Sequence, residues 1–244
     1  MGIAGWTNPP AQRGDREAGL THLAYYADHF SCVEINSSFY RPHQAATYAR
    51  WRDSTPAQFR FSVKVPRSIT HESRLRRTAS EVSRFYDDIA CLQLKLAAVL
   101  VQLPPSLEFS PAVVRSFFQQ VTGLRRGAVT CEPRHASWFS KRADDALRRM
   151  EVTRVAADPA RWAGSDVPGG AQRFAYFRWH GAPRMYYSRY SETQLAAFAA
   201  KVTTADARDA WCIFDNTARY AAWDDALRFI ALIRRGKSRA SPAS

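Results

Sequence analysis

The chain has 244 residues, 46% of them hydrophobic, which suits a single large α/β domain with a sizeable core. No apolar run reaches the ~18 residues of a membrane span, so a helical membrane protein is excluded. The net charge of +13 and a pI near 10.1 point to anionic ligands, nucleic acid or an acidic partner. That charge is spread over helices and tails rather than gathered in one tract, and most of it is arginine. The opening Met1-Gly2-Ile3-Ala4-Gly5-Trp6 lacks the basic stretch and long apolar core of a signal peptide, so a cytoplasmic location is expected. Cys32, Cys91, Cys131 and Cys212 are scattered with no CxxC pair, which predicts free thiols and neither a disulfide framework nor a zinc site.

In chain order, eight β-rich runs read as strands: Gly2 to Trp6, Cys32 to Asn36, Phe59 to Val65, Ala98 to Leu103, Ala128 to Glu132, Thr153 to Asp158, Phe174 to His180, and Trp211 to Asp215. Helical stripes lie between them. Leu20, Leu23, Ala24, Ala27 and Phe30 form one, and Val82, Phe85, Ile89 and Leu92 the next. Val113, Val114, Phe117, Phe118 and Val121 follow, with Pro111 in the first turn and Ser110 as the expected cap. Leu195, Phe198, Ala199 and Val202 form another, and Ala222, Ala226, Phe229, Ile230 and Ile233 the last. Residues 159–172 are rich in Gly and Pro without a helical stripe, so the connection before strand seven is expected to be irregular. The pattern predicts one TIM-like (β/α)₈ barrel over residues 1–235 and a disordered tail over 236–244. A doubly wound sheet is disfavoured, because the loop after strand one, Gly5-Trp6-Thr7-Asn8-Pro9-Pro10, holds neither GxGxxG nor a Walker motif.

In a barrel, alternate strand residues point inward. Counting along each strand places Glu34 and Asn36, Lys64, Gln102, Glu132 and Arg134, Asp158, Arg178 and His180, and Asp215 or Asn216 inside the barrel, towards the C-terminal mouth where barrel enzymes build their sites. His71, His135 and Trp138 lie just beyond strand ends. Acids and bases in near balance suit a dry cavity, because an unpaired buried charge costs ~3–5 kcal/mol. Glu132, Glu34, Asp158 and His180 are then the catalytic candidates for general acid/base work, with Glu132 as acid or base and His180 as proton shuttle. Lys64, Arg134 and Arg178 are the expected anion clamps. The same histidines and carboxylates could converge on a metal, but no HxH or HExxH spacing occurs and three nearby cations oppose it, so no metal and no cofactor are expected. After strand seven, Gly181 to Tyr190 interleaves Tyr186, Tyr187 and Tyr190 with Arg184 and Arg189, which suits either base stacking or a cover over the mouth.

Several of these stretches carry a resemblance. Val33-Glu34-Ile35-Asn36-Ser37-Ser38-Phe39-Tyr40-Arg41, Phe61-Ser62-Val63-Lys64, Ile69-Thr70-His71, Gln102-Leu103-Pro104-Pro105, Glu132-Pro133-Arg134-His135-Ala136-Ser137-Trp138, Arg178-Trp179-His180-Gly181 and Phe214-Asp215-Asn216-Thr217 occur in order. Together they resemble the YecE-like family, domain of unknown function 72, along nearly the whole chain. The resemblance implies a TIM-like barrel with no settled activity, and a distant fold likeness to xylose isomerase and endonuclease IV. The metal-binding histidines of endonuclease IV are not reproduced in number or position. Taken together, the sequence predicts a small anionic or sugar-phosphate-like ligand at the mouth, handled by a hydrolase, lyase or isomerase through acid/base chemistry. The alternative is a metal-dependent, nucleic-acid-binding barrel distantly like endonuclease IV. A membrane partner is not expected.

Overall fold

Strands and helices alternate through the computed structural model, which describes residues 1–10, 19–124 and 126–240. In order they are β1 (Gly2–Ala4), α1 (His22–His29), β2 (Cys32–Ile35), α2 (Ser37–Tyr40), α3 (Ala45–Asp53), β3 (Arg60–Lys64), α4 (Ala79–Ile89), β4 (Leu96–Gln102), α5 (Pro111–Gly123) and β5 (Ala128–Glu132). Then follow α6 (Lys141–Arg149), β6 (Val152–Arg154), β7 (Ala156–Asp158), β8 (Gly169–Gly170), β9 (Phe174–Trp179), α7 (Glu192–Thr203), β10 (Asp209–Phe214) and α8 (Ala221–Ala240).

The sheet runs β7-β9-β10-β1-β2-β3-β4-β5-β6-β8 and is nearly closed. Its seam is one continuous stretch of chain. β6 pairs in parallel with β5, the backbone steps across at Val155, and β7 pairs in parallel with β9. What the sequence presents as one sixth strand is therefore two short segments that serve different neighbours. β8 is an antiparallel flap on β6.

Alternation sorts the side chains into two layers. Phe61 and Val63, Val99 and Val101, Val129 and Cys131, and Phe177 and Trp179 pack outward against the helices in the main core. Ala4, Cys32, Ala98, Leu100, Val155, Tyr176 and Ile213 form a second, smaller cluster inside the barrel. The helices supply the matching apolar faces: Val82, Phe85 and Ile89 on α4, and Val114, Phe117, Phe118 and Val121 on α5, are all buried. Pro111 opens α5 as expected, but the Ser110 side chain makes no capping hydrogen bond. α7 is closed by Ser191, whose hydroxyl accepts from the Gln194 amide while the Gln194 side chain returns to the Ser191 amide.

The connection from Pro159 to Arg173 contains no helix, in line with its sequence. Arg154 organises it: its guanidinium donates to Asp144 on α6 and to the carbonyls of Gly164 and Val167. Gly169 is needed for this approach, since a Cβ there would lie 2.5 Å from an Arg154 nitrogen. α8 continues through Gly236 to Ala240, past the point where the tail was expected to begin. Residues 241–244 of that expected tail lie outside the described residues.

Candidate functional site

The upper interior of the barrel is organised around Arg178. It projects from β9 and is fully buried. Its Nε and Nη2 donate to the two carboxylate oxygens of Glu34 at 3.0 and 2.7 Å. Nη1 donates to Glu132 Oε2 at 2.5 Å, and Nη2 reaches Asp215 Oδ2 at 2.9 Å. One guanidinium thus serves carboxylates from β2, β5 and the end of β10, a use its planar fork of donors suits.

Glu34 and Glu132 are themselves engaged at both oxygens, while both contacts of Asp215 fall on its Oδ2. Glu132 Oε1 takes Arg134 at 3.1 Å and His180 Nε2 at 3.1 Å, and its Oε2 also accepts from Gln102 at 2.8 Å. Glu34 Oε2 takes the Tyr176 hydroxyl at 2.7 Å, and that hydroxyl also meets Ser62 at 3.0 Å. His180 is held at both ring nitrogens, Nδ1 lying 2.9 Å from Asp215 Oδ2. Burial alone would raise the Glu132 carboxyl, but Arg178, Arg134 and His180 hold it well below the usual range. Asp215 is likewise lowered, Arg178 and His180 overcoming its burial.

Lys64 differs from these cations. It stands at the end of β3, is 7% exposed, and its Nζ lies 4.2 Å from the centre of the Phe39 ring. Among the described residues no carboxylate comes within ion-pair distance of it. Burial and the Arg178 charge lower it from 10.5 to about 8, against the partial support of Glu34, Glu132 and Asp215. It lines a mouth cavity of ≈ 530 Å³ together with Asn36, Arg67, His71, Tyr186 and Asp215. Among the described residues Asn36 Oδ1 is buried without a partner, an uncommon state for a polar atom. His71 shares its Nδ1 with the Thr70 hydroxyl at 2.9 Å. Burial first, then the charges of Lys64, Arg67 and Arg134, lower it to about 4.

The structure therefore brings together Glu34, Lys64, Gln102, Glu132, Arg134, Arg178, His180 and Asp215, with Asn36, His71 and Tyr186 at the cavity. The others lie elsewhere. Asp158 pairs in register with the outward-facing Trp179, so it sits on the helix side of the sheet rather than inside the barrel, where its carboxylate accepts from Tyr190 at 2.8 Å. Alternation runs unbroken through β6 and β7, so Val155 and Ala157 face the interior while Ala156 and Asp158 face the helices, and the expected inward position of Asp158 is one residue out of phase. Asn216 is buried and ties the loop to α8, donating to Ser188 O and Asp225. His135 caps the short turn Ala136–Phe139, accepting from the Ser137 amide. Trp138 is a core residue whose Nε1 donates to Leu107 O. In the Tyr-rich loop, Arg184 stacks on Tyr187 at 3.9 Å and Arg189 pairs with Asp224 at 2.6 Å, so both arginines engage the protein itself. Tyr186 Oη lies 3.5 Å from Arg134, and its ring packs edge-on against His180.

Alternation carried two residues further back from Arg178 would have found Tyr176, which shares a face with Arg178 and His180. Phe39 and Arg67 follow strand ends and have no such signal. Among the described residues, no group of three or more His, Cys, Asp or Glu is arranged to hold a metal ion, and no helix is long and apolar enough to cross a membrane.

A family model described as a protein of unknown function, DUF72, matches residues 1–244. The chain belongs to the DUF72 family. UPF0759 protein YecE of Escherichia coli K12 is 30% identical over 166 residues, 65% of this chain and 58% of that protein. UPF0759 protein YunF of Bacillus subtilis is 28% identical over 148 residues, 57% of this chain and 52% of that one. The chain thus spans little more than half the length of the curated relatives it matches. A crystal structure of a DUF72 family protein from Enterococcus faecalis V583 superposes with a TM-score of 0.80 at 20% identity, covering 96% of this chain and 94% of that one. A DUF72 protein from Thermotoga maritima MSB8 gives 0.78 at 23%, covering 96% and 99%. At these identities the likeness concerns the fold, and it agrees with the TIM-like barrel described above.

Proposed function

We propose that this DUF72 protein binds a small anion, a phosphate or carboxylate such as a sugar phosphate carries, in the mouth cavity of the barrel. The observation that carries the reading is Lys64: a buried cation beside an open cavity, without a carboxylate in contact, while Arg178 and Arg134 are both tied to acids. An arriving anion supplies the charge that Lys64 lacks; Arg67, more than half exposed and in a solvent-screened pair with Glu72 at 3.4 Å, lines the same cavity as a second cation. Acid/base work in such a site falls to groups with capacity left. Glu34, Glu132 and His180 have none, since mutual bonds saturate them, so they act as the rigid support. Lys64, His71 and the Oδ1 of Asp215, unengaged among the described residues, are the proton carriers of this reading. The test is calorimetric titration of wild type and Lys64→Met with inorganic phosphate, glycerol 3-phosphate and small carboxylates. Saturable binding by wild type that weakens about tenfold or more in the variant is the expected result, about 1.4 kcal/mol. Equal affinity in both proteins would overturn it. So would tight, salt-resistant DNA binding with no small-anion binding.

A further inference from the structure

We infer that Lys64 is a nucleophile whose amine captures the aldehyde or ketone carbon of the anionic ligand as an imine. This rests on the anion-binding reading and names its substrate class: a small carbonyl compound that carries a phosphate or carboxylate.

Three observations point this way. The first is position. Lys64 ends β3 inside the barrel and reaches a cavity of ≈ 530 Å³, large enough for a sugar-phosphate-sized molecule. The second is environment. Its Nζ lies against the Phe39 ring, close enough to Arg178 to be affected by its charge, and no carboxylate is in contact among the described residues. A buried lysine that feels another cation's charge and has no carboxylate in contact is the arrangement that releases the amine from its proton, and burial with the Arg178 charge outweighs the ring face of Phe39, which favours the ammonium. The lowering to about 8 agrees with that environment. The third is the rest of the wall. Arg67, exposed and paired with Glu72 at 3.4 Å, lines the cavity with Asp215, His71 and Tyr186, which gives the ligand a cation and groups able to relay protons. A ligand placed with its anion at Arg67 presents its carbonyl inward, towards Lys64.

The step balances without an added reagent. The Nζ lone pair forms the N–C bond while the C=O π pair moves onto oxygen. One proton from nitrogen passes to that oxygen through a cavity group, giving a carbinolamine. The nitrogen lone pair then expels the hydroxyl, which leaves as water with a second proton, and the last N–H proton of the iminium returns to the cavity. Amine and carbonyl have become imine and water, with no change in oxidation state.

The experiment uses the full chain with glyceraldehyde 3-phosphate, dihydroxyacetone phosphate or pyruvate, followed by sodium borohydride and peptide mass mapping. Borohydride reduces an imine to a stable secondary amine, and lysines are few in this chain, so the modified one is readily assigned. The expected result is an adduct on Lys64 in wild type and none at that position in Lys64→Arg, which keeps the charge but cannot form the imine. In wild type alone, the Lys64 adduct should rise with pH through about 8, as the amine loses its proton, while surface lysines respond only at higher pH. The charges that set this profile are Arg178, Glu34, Glu132 and Asp215, while His71, lowered to about 4, is neutral over this range. Glycerol 3-phosphate, which has no carbonyl, separates the two readings. If it binds wild type and yet no carbonyl probe marks Lys64, the imine is wrong and the anion site stands. If neither class binds or reacts, both readings fall. Adducts confined to other lysines also overturn the inference.

Discussion

Two layers of one barrel interior meet the same demand with opposite chemistry. The lower layer is filled by Cys32, Leu100, Tyr176 and Ile213 among others. Two residues further along the same strands, where the pleat returns to the same face, stand Glu34, Gln102, Arg178 and Asp215. The lower layer excludes water with apolar volume. The upper layer excludes it with charges that satisfy one another, a costly arrangement that a barrel needing only stability would replace with Val, Ile and Leu. The comparison teaches that within the charged layer most groups are bonded to one another. Arg178 and its acids hold one another, and Lys64 has, among the described residues, no carboxylate in contact.

The strongest way to break this comparison is to remove the hub. Arg178→Met leaves Glu34, Glu132 and Asp215 buried without their shared cation and should cost about 3–5 kcal/mol in denaturant unfolding. A near-wild-type midpoint would show that the charged layer is not held from Arg178.

Removing one acid should cost somewhat less, because two others remain. Glu132→Gln is expected to lose about 3 kcal/mol at neutral pH. Its pH dependence sharpens the point. Glu132 and Asp215 have folded-state carboxyls below their ordinary values of 4.5 and 3.8, so the unfolded chain binds protons first as pH falls. Their contribution is complete above those ordinary values and is lost as pH drops through the lowered ones. Wild type should therefore destabilise steeply in acid, and Glu132→Gln should show a shallower slope over the same range.

The apolar layer has its own counterpart. Leu100→Ala should cost about 2–4 kcal/mol through lost burial and the cavity left behind, with no pH dependence of that loss. A loss that varied with pH would mean the two layers are coupled.

Lys64→Met should do the reverse and stabilise the protein, by about 1–3 kcal/mol near neutrality. The folded-state value of about 8 lies below the ordinary 10.5, so between them the unfolded chain holds more protons and wild-type stability rises with pH. The variant's advantage is thus full below about 8 and shrinks towards 10.5. A destabilised variant at neutral pH would mean that Lys64 is structural after all.

The smallest expected effect lies outside both layers. His135→Ala removes a cap from the short turn Ala136–Phe139 and should cost about 0.5–1 kcal/mol without altering small-anion binding. Loss of binding would return His135 to the site.

Strand alternation is a local property, and it was enough to place Glu34, Lys64, Gln102, Glu132, Arg178 and His180 on one face before any contact was known. The eightfold strand pattern and the irregular approach to strand seven were legible for the same reason: side-chain period and Gly/Pro punctuation act over a few residues. Asp158 lies on the other face by the same alternation, sharing the parity of Val152 and Ala156, which pack towards the helices; what local periodicity does not show is that this one stretch serves two strands distant in sequence, β5 and β9. Which charges pair was also beyond it. Composition supplies acids and bases in near balance, but saturation of Glu34, Glu132 and His180 arises from distances set by barrel closure. Only that three-dimensional arrangement separates Arg178, engaged by three acids, from Lys64, which is left facing the cavity.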